Sequence, residues 1–170
     1  MKPTAQQLIE YLKLEPLTFE GGHFRQTYRS AESIPKSALP SRYSGGRLFG
    51  TAIYYLLTSD AGSFSSLHRL ATDEIYHFYL GDPVEMLLLH PDGKGERIVL
   101  GHDLLGGQNV QVLAPAGCWQ GSRLVSGGDY ALMGTTMAPG FEMDDWAEGK
   151  RDQLSRLYPA YVELIRALTH

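Results

Sequence analysis

GSFSSLHRLATDEIYHFYLG, residues 62–81, is the stretch on which the fold turns. Side chains two apart on a strand share a face, so His68 and Leu70 point one way. On the strand that follows, Glu74, Tyr76 and Phe78 share a face, and Ile75, His77 and Tyr79 take the other. Gly62 and Gly81 bracket the pair with residues that tolerate tight turns. An imidazole and a carboxylate on successive strands are thereby aimed at a common interior.

Working outward, short β-rich runs recur with turn residues between them, the spacing of a sandwich or barrel. They fall at 23–29, 48–58, 62–68, 74–80, 84–90, 96–100, 109–113, 118–125 and 130–137. Asp92-Gly93 between two of them is a hairpin signal. The segment 30–46, with two prolines and several serines, is the longest loop and is expected to be a lid or rim.

Helical periodicity is confined to the two ends. Thr4 and Gln7 form a capping box ahead of Ala5, Leu8, Ile9 and Leu12, and Pro16 is expected to end that helix. Leu154, Leu157, Tyr161, Leu164, Ile165 and Leu168 recur at three and four residues, with Pro159 expected to open a final helix. The reading is an all-β single domain over residues 1–170, a closed antiparallel barrel at about 17–138 and helices at about 144–168.

Composition narrows the partners. Fifteen Lys and Arg against nineteen Asp and Glu leave a net charge of -4 at pH 7, without the basic stripe that nucleic acid requires. No apolar run approaches the length of a membrane span, and residues 1–16 lack the apolar core of a signal peptide. The expected setting is cytoplasmic, with neither nucleic acid nor membrane as partner. The single Cys118 has no intramolecular disulfide partner and no obvious base nearby, so it reads as a buried structural thiol. His90 and His102 sit beside turns and read as solvated.

The skeleton Gly62, His68, Leu70, Glu74, Gly81 resembles the first motif of the cupin superfamily, with Leu70 where a second His normally stands. Pro115-x-Gly117 followed by Gln120 resembles the second motif, with Gln120 in place of its His. The blocks at 19–30, 73–93, 114–124 and 136–146 are similar to the fifth cupin family, small single-domain cupins of unknown function. That resemblance implies a jelly-roll barrel and a homodimer, and it implies no reaction.

A metal-bearing cupin site resembles three His and one Glu around a transition ion. Losing two imidazoles argues against a tightly held cofactor and leaves a weak divalent transition metal at His68, Glu74 and Gln120 as the alternative. The expected acid–base residues are His68, Glu74 and Tyr76. The expected ligand-binding residues are His23 and Arg25 at the mouth, with Phe78, Trp119, Gln120 and Tyr130. Two classes of function stay open at this point. One is a metal-free isomerase-like enzyme acting on a sugar- or nucleotide-related small molecule; the other is a ligand-binding module without chemistry.

Overall fold

Thr4 sets the start of helix α1 (Ala5–Leu12) as its sequence requires: Gln7 N donates to the Thr4 hydroxyl, and Thr4 N donates to the Gln7 side chain. The computed structural model describes residues 2–170. The helix ends at Lys13, which takes a left-handed conformation, before Pro16 is reached. Strands then run β1 (Glu15–Pro16), β2 (His23–Arg29), β3 (Ser33–Ile34), β4 (Arg47–Leu48), β5 (Thr51–Thr58), β6 (Phe64–Arg69) and β7 (Glu74–Gly81). They continue with β8 (Val84–Leu89), β9 (Gly95–Leu100), β10 (Gln111–Ala114), β11 (Trp119–Leu124), β12 (Tyr130–Met137) and β13 (Ala147–Glu148). Helices α2 (Arg151–Leu157) and α3 (Val162–Ala167) follow. Pro159 opens a short 3-10 turn ahead of α3 and is not its first residue.

The strands form two antiparallel jelly-roll sheets, ordered β1-β2-β5-β12-β7-β10 and β13-β6-β11-β8-β9, and a separate β3-β4 ribbon. They face each other across a core of Tyr55, Leu57, Tyr76, Phe78, Met86, Leu88, Val112 and Met133. Among the described residues the two sheets do not join into one hydrogen-bonded barrel, which corrects the closed outline expected from strand spacing. The region beyond 138 also differs: β13 joins the edge of the five-stranded sheet before the helices begin.

Both outer faces are partly covered. Leu67, Leu87 and Leu89 pack against Leu154, Tyr158, Leu164, Ile165 and Leu168 of the C-terminal helices, while Leu157 stays exposed. Leu8 and Leu14 cover Leu56, Tyr130 and Leu132 on the other sheet. Strands buried on both faces read as continuous apolar runs, as in Leu87–Leu89. The C-terminal segment also holds β6 by its backbone. Leu67 N donates to Leu168 O at 2.7 Å, and Gly149 N donates to Leu67 O at 2.7 Å. Outward on β7 and β10, Tyr79, Ile75 and Leu113 remain exposed.

The expected lid at 30–46 is a pinned strap. Tyr43 is buried and shares a hydrogen bond of 2.9 Å with Thr72, and Arg42 donates to Ala71 O at 2.8 Å. Arg47 closes the strap with two hydrogen bonds to Asp145, at 2.7 and 2.6 Å, both side chains only 2% exposed. No residue of the strap lines the interior cavity described below. No helix of the described residues is long and apolar enough to cross a membrane.

Removing one partner of such a pair strands the other charge in a dry site. Asp145→Ala is expected to lose about 3 kcal/mol of stability in urea unfolding, and the paired Arg47→Met, Asp145→Leu replacement to lose much less. A loss below about 1 kcal/mol for Asp145→Ala, in the range of exposed pairs, would show that the tie does not hold the strap.

Candidate functional site

His68 comes from β6 and Gln120 from β11, neighbours in one sheet whose register sets the two residues directly opposite. Glu74 opens β7 in the facing sheet, so the motif's His and carboxylate approach across the interior from different sheets. All three are buried, at 1%, 2% and 7% exposure. His68 Nδ1 lies 2.8 Å from the Ser66 carbonyl, which only accepts, so Nδ1 carries a proton. Neutral His68 therefore presents an unprotonated Nε2, and Gln120 Nε2 stands 3.0 Å from it. The same amide nitrogen donates to Glu74 Oε2 at 2.6 Å. Turning the amide over would require both a doubly protonated His68 and a protonated Glu74. The orientation with both amide hydrogens engaged suits His68 and Glu74 and leaves the buried Gln120 Oε1 without a partner.

A second carboxylate, unforeseen from the sequence, enters from the turn between β1 and β2. Glu20 Oε2 lies 3.7 Å from His68 Nε2, and Ser65 Oγ donates to Glu20 Oε1 at 2.7 Å. Its backbone is docked on β6, where Ser66 N donates to Glu20 O at 2.9 Å. Gly21 makes that docking possible: its φ is +111°, and a Cβ there would fall 2.1 Å from Phe64 O. Tyr55 completes the anchor by donating its hydroxyl to Gly21 O at 3.0 Å. The one sequence signal was the acid preceding Gly21-Gly22 in FEGGHF.

Burial pushes the Glu20 carboxyl above its ordinary value. His68 and the Ser65 hydrogen bond pull it back, and the Glu74 charge adds to the rise. Tyr76, one alternation after Glu74, is held well above the usual phenol range by burial and then by Glu74 and Glu20. A phenol held so firmly to its proton is a poor acid, which leaves Glu20 the better donor in the cluster.

These groups border an interior cavity of about 210 Å³. His68, Glu20 and Glu74 line it together with Leu70, Phe19, Phe24 and Phe141. Trp146 stacks near His68, ring centroids 6.3 Å apart, and meets Phe19 edge-on at 5.4 Å.

The model of a family described as Cupin superfamily (DUF985) matches residues 6–148. The chain belongs to this cupin family. A Shewanella oneidensis protein of solved structure is similar at 31% identity, TM-score 0.86, with 99% of each chain covered. An uncharacterized Saccharomyces cerevisiae protein is 28% identical over 74% of this chain, and the match spans 66% of that protein's length, just short of two thirds. A cupin 2 domain-containing protein from Halorhodospira halophila shares the fold at 10% identity and TM-score 0.52, covering 88% and 83% of the two chains.

A metal of the kind known in cupins does not fit the residues present here. Leu70 fills the second His position with a side chain that has no donor atom. Gln120 turns N–H hydrogens, not its carbonyl, toward both His68 and Glu74. Among the described residues no group of three or more His, Cys, Asp or Glu is arranged to hold an ion.

Five expected ligand-binding residues of this cupin lie away from the cavity, and strand parity explains three. On β2, Phe24 and Gln26 line the cavity, so His23 and Arg25 face out, Arg25 lying over the Tyr54 ring. On β11, inward Gln120 forces Trp119 outward, where Arg69 covers it beside the C-terminal helices. Tyr130 sits beneath α1 on the outer side of β12. Phe78 does point inward but is absorbed in the core away from the cavity, edge-on to His102. His77 faces out as expected and binds Thr136 Oγ1 at 2.9 Å.

Cys118 does have a base beside it. His90 Nδ1 lies 3.2 Å from its sulfur, and His90 Nε2 lies 2.8 Å from Glu96 Oε1, so His90 is bridged and not merely solvated. Burial, with Glu96, Asp92 and Asp73 nearby, pushes the thiol up, so this line of groups does not yield an activated thiolate.

The raised Glu20 carboxyl has a thermodynamic consequence. The folded protein holds that proton more tightly than the unfolded chain, so stability falls as pH rises from 4.5, the ordinary value, through the raised one. Glu20→Gln removes the titration. Thermal melts are expected to place the variant at or above wild type at neutral pH, with the gap closing in acid. A variant less stable at neutral pH would overturn the assignment.

Proposed function

We propose that this cupin binds a small organic molecule and moves a proton on it without metal. His68 acts as base and Glu20 as acid, while Glu74 and Gln120 orient the imidazole. The observation that carries this reading is the approach of His68 Nε2 to within 3.7 Å of the Glu20 carboxyl, which burial pushes up, at the wall of one cavity. The Ser66 carbonyl fixes the tautomer, which is the orienting role a base needs. Phe19, Phe24 and Phe141 give the wall an apolar face beside these groups, while exposed Phe19 and Gln26 leave its mouth open to solvent, so the base can exchange its proton with water.

Isomerisation is the reaction class that suits a base and an acid flanking one small volume, since it needs neither oxidant nor second substrate. Two carboxylates and the absence of Lys or Arg among the described lining residues favour an unphosphorylated substrate over a nucleotide. The binding-only reading keeps one specific support: Gln120 already occupies the His68 lone pair. Catalysis therefore requires the ligand to displace that amide hydrogen bond.

Native mass spectrometry of protein purified gently is expected to release a small molecule. Incubated in heavy water, wild type should exchange deuterium into a carbon position of that molecule, and His68→Gln should retain the molecule without exchange. A ligand carried by wild type that takes up no deuterium would establish binding without turnover. Stoichiometric transition metal surviving mild chelation would refute the metal-free mechanism.

A further inference from the structure

The cavity's own charge narrows its ligand further. Resting on the reading of the cavity as a small-molecule site, we infer that its occupant is an organic cation, a small amine whose ammonium group sits between Glu20 and Glu74 against the phenylalanine faces. Two carboxylates converge on this cavity, and no Lys or Arg among the described residues lines it. The groups that meet them hold one ionisable partner, His68, against two carboxylates. Ser65 donates a hydroxyl to Glu20, Gln120 donates an amide to Glu74, and His68 sends its one proton to the Ser66 carbonyl. The Ser65 and Gln120 dipoles orient the carboxylates without offsetting their charge, and a protonated His68 offsets at most one of the two.

Protonating Glu20 removes one negative charge and leaves the other. A second carboxylate left without a counter-charge beside a largely apolar wall is unfavourable, and an ammonium ion is the direct remedy. Phe19, Phe24 and Phe141 supply the negative ring faces that attract a cation once it has shed its water. Several N–H donors also suit what the wall offers, since Glu20 and Glu74 both accept. A phosphate or carboxylate would meet like charge, and a neutral sugar would leave the charge unbalanced. The volume of 210 Å³ is that of about seven liquid waters, which sets the ligand at roughly seven to ten non-hydrogen atoms.

Three probes of matched size separate charge from shape: phenethylammonium chloride, phenethyl alcohol and sodium phenylacetate. Each is titrated by calorimetry into wild type, Glu20→Gln, Glu74→Gln and Phe24→Leu, with circular dichroism confirming that each variant is folded. The amine is expected to bind wild type about tenfold more tightly than the alcohol, with phenylacetate weakest. Glu74→Gln should abolish that preference while leaving the alcohol unchanged, and Phe24→Leu should weaken the amine about threefold. Phenylacetate binding as well as the amine, or an amine preference that survives both Glu20→Gln and Glu74→Gln, would overturn the inference. Alcohol and amine binding equally would remove the cation and spare the small-molecule site. Failure of all three probes to bind would remove both.

Discussion

One side-chain amide holds the interior of this protein in register. Gln120 commits one hydrogen to the His68 imidazole and the other to the Glu74 carboxylate, joining β11, β6 and the facing β7 at a single nitrogen. A buried network with all its donors engaged stiffens its surroundings, and one with a missing partner destabilises them. The position normally held by a metal-binding His in cupins thus still links the two sheets. It does so with a neutral hydrogen bond in place of coordination.

That replacement changes the electrostatics of the interior. A metal ion is the largest positive charge in a site of this type, and it sets the ionisation of everything around it. With His68 as the one ionisable base on the wall, Glu20 and Glu74 share a single counter-charge, and the Glu74 charge adds to the upward shift at Glu20. The upward shift at Glu20 and the stiff retention of protons by Tyr55 and Tyr76 are expressions of the same negative, apolar environment.

The sequence was legible where chemistry and periodicity agree. The strand limits at 23–29 and 130–137 coincide with those observed, and the box at Thr4 and Gln7 starts α1 as read. His68, Glu74 and Gln120 were found because motif spacing fixes both strand and face. Trp119 and Tyr130 were misplaced because helices cover the outer faces too, so apolar character no longer tells inside from outside. His23 and Arg25 were misplaced by one step of parity, which local composition does not reveal when Phe24 and Gln26 stand between and beside them. Glu20 was missed because it reaches the site through a turn. Its partners Ser65 and His68 are distant in sequence, and only the left-handed Gly21 hints at the close approach.

The grip of the C-terminal segment on β6 ties the endurance of the site to an element remote from it. Leu67, the residue before His68, has its amide bound to Leu168 and its carbonyl bound to Gly149. Detachment of α3 frees the Leu67 amide and loosens the strand that carries the imidazole, while the β12 pairings with β5 and β7 stay intact. The strand that carries the imidazole is therefore clasped on both sides of Leu67 by a segment whose Ile165 and Leu168 are fully buried, so the last helix is part of the sheet's own support.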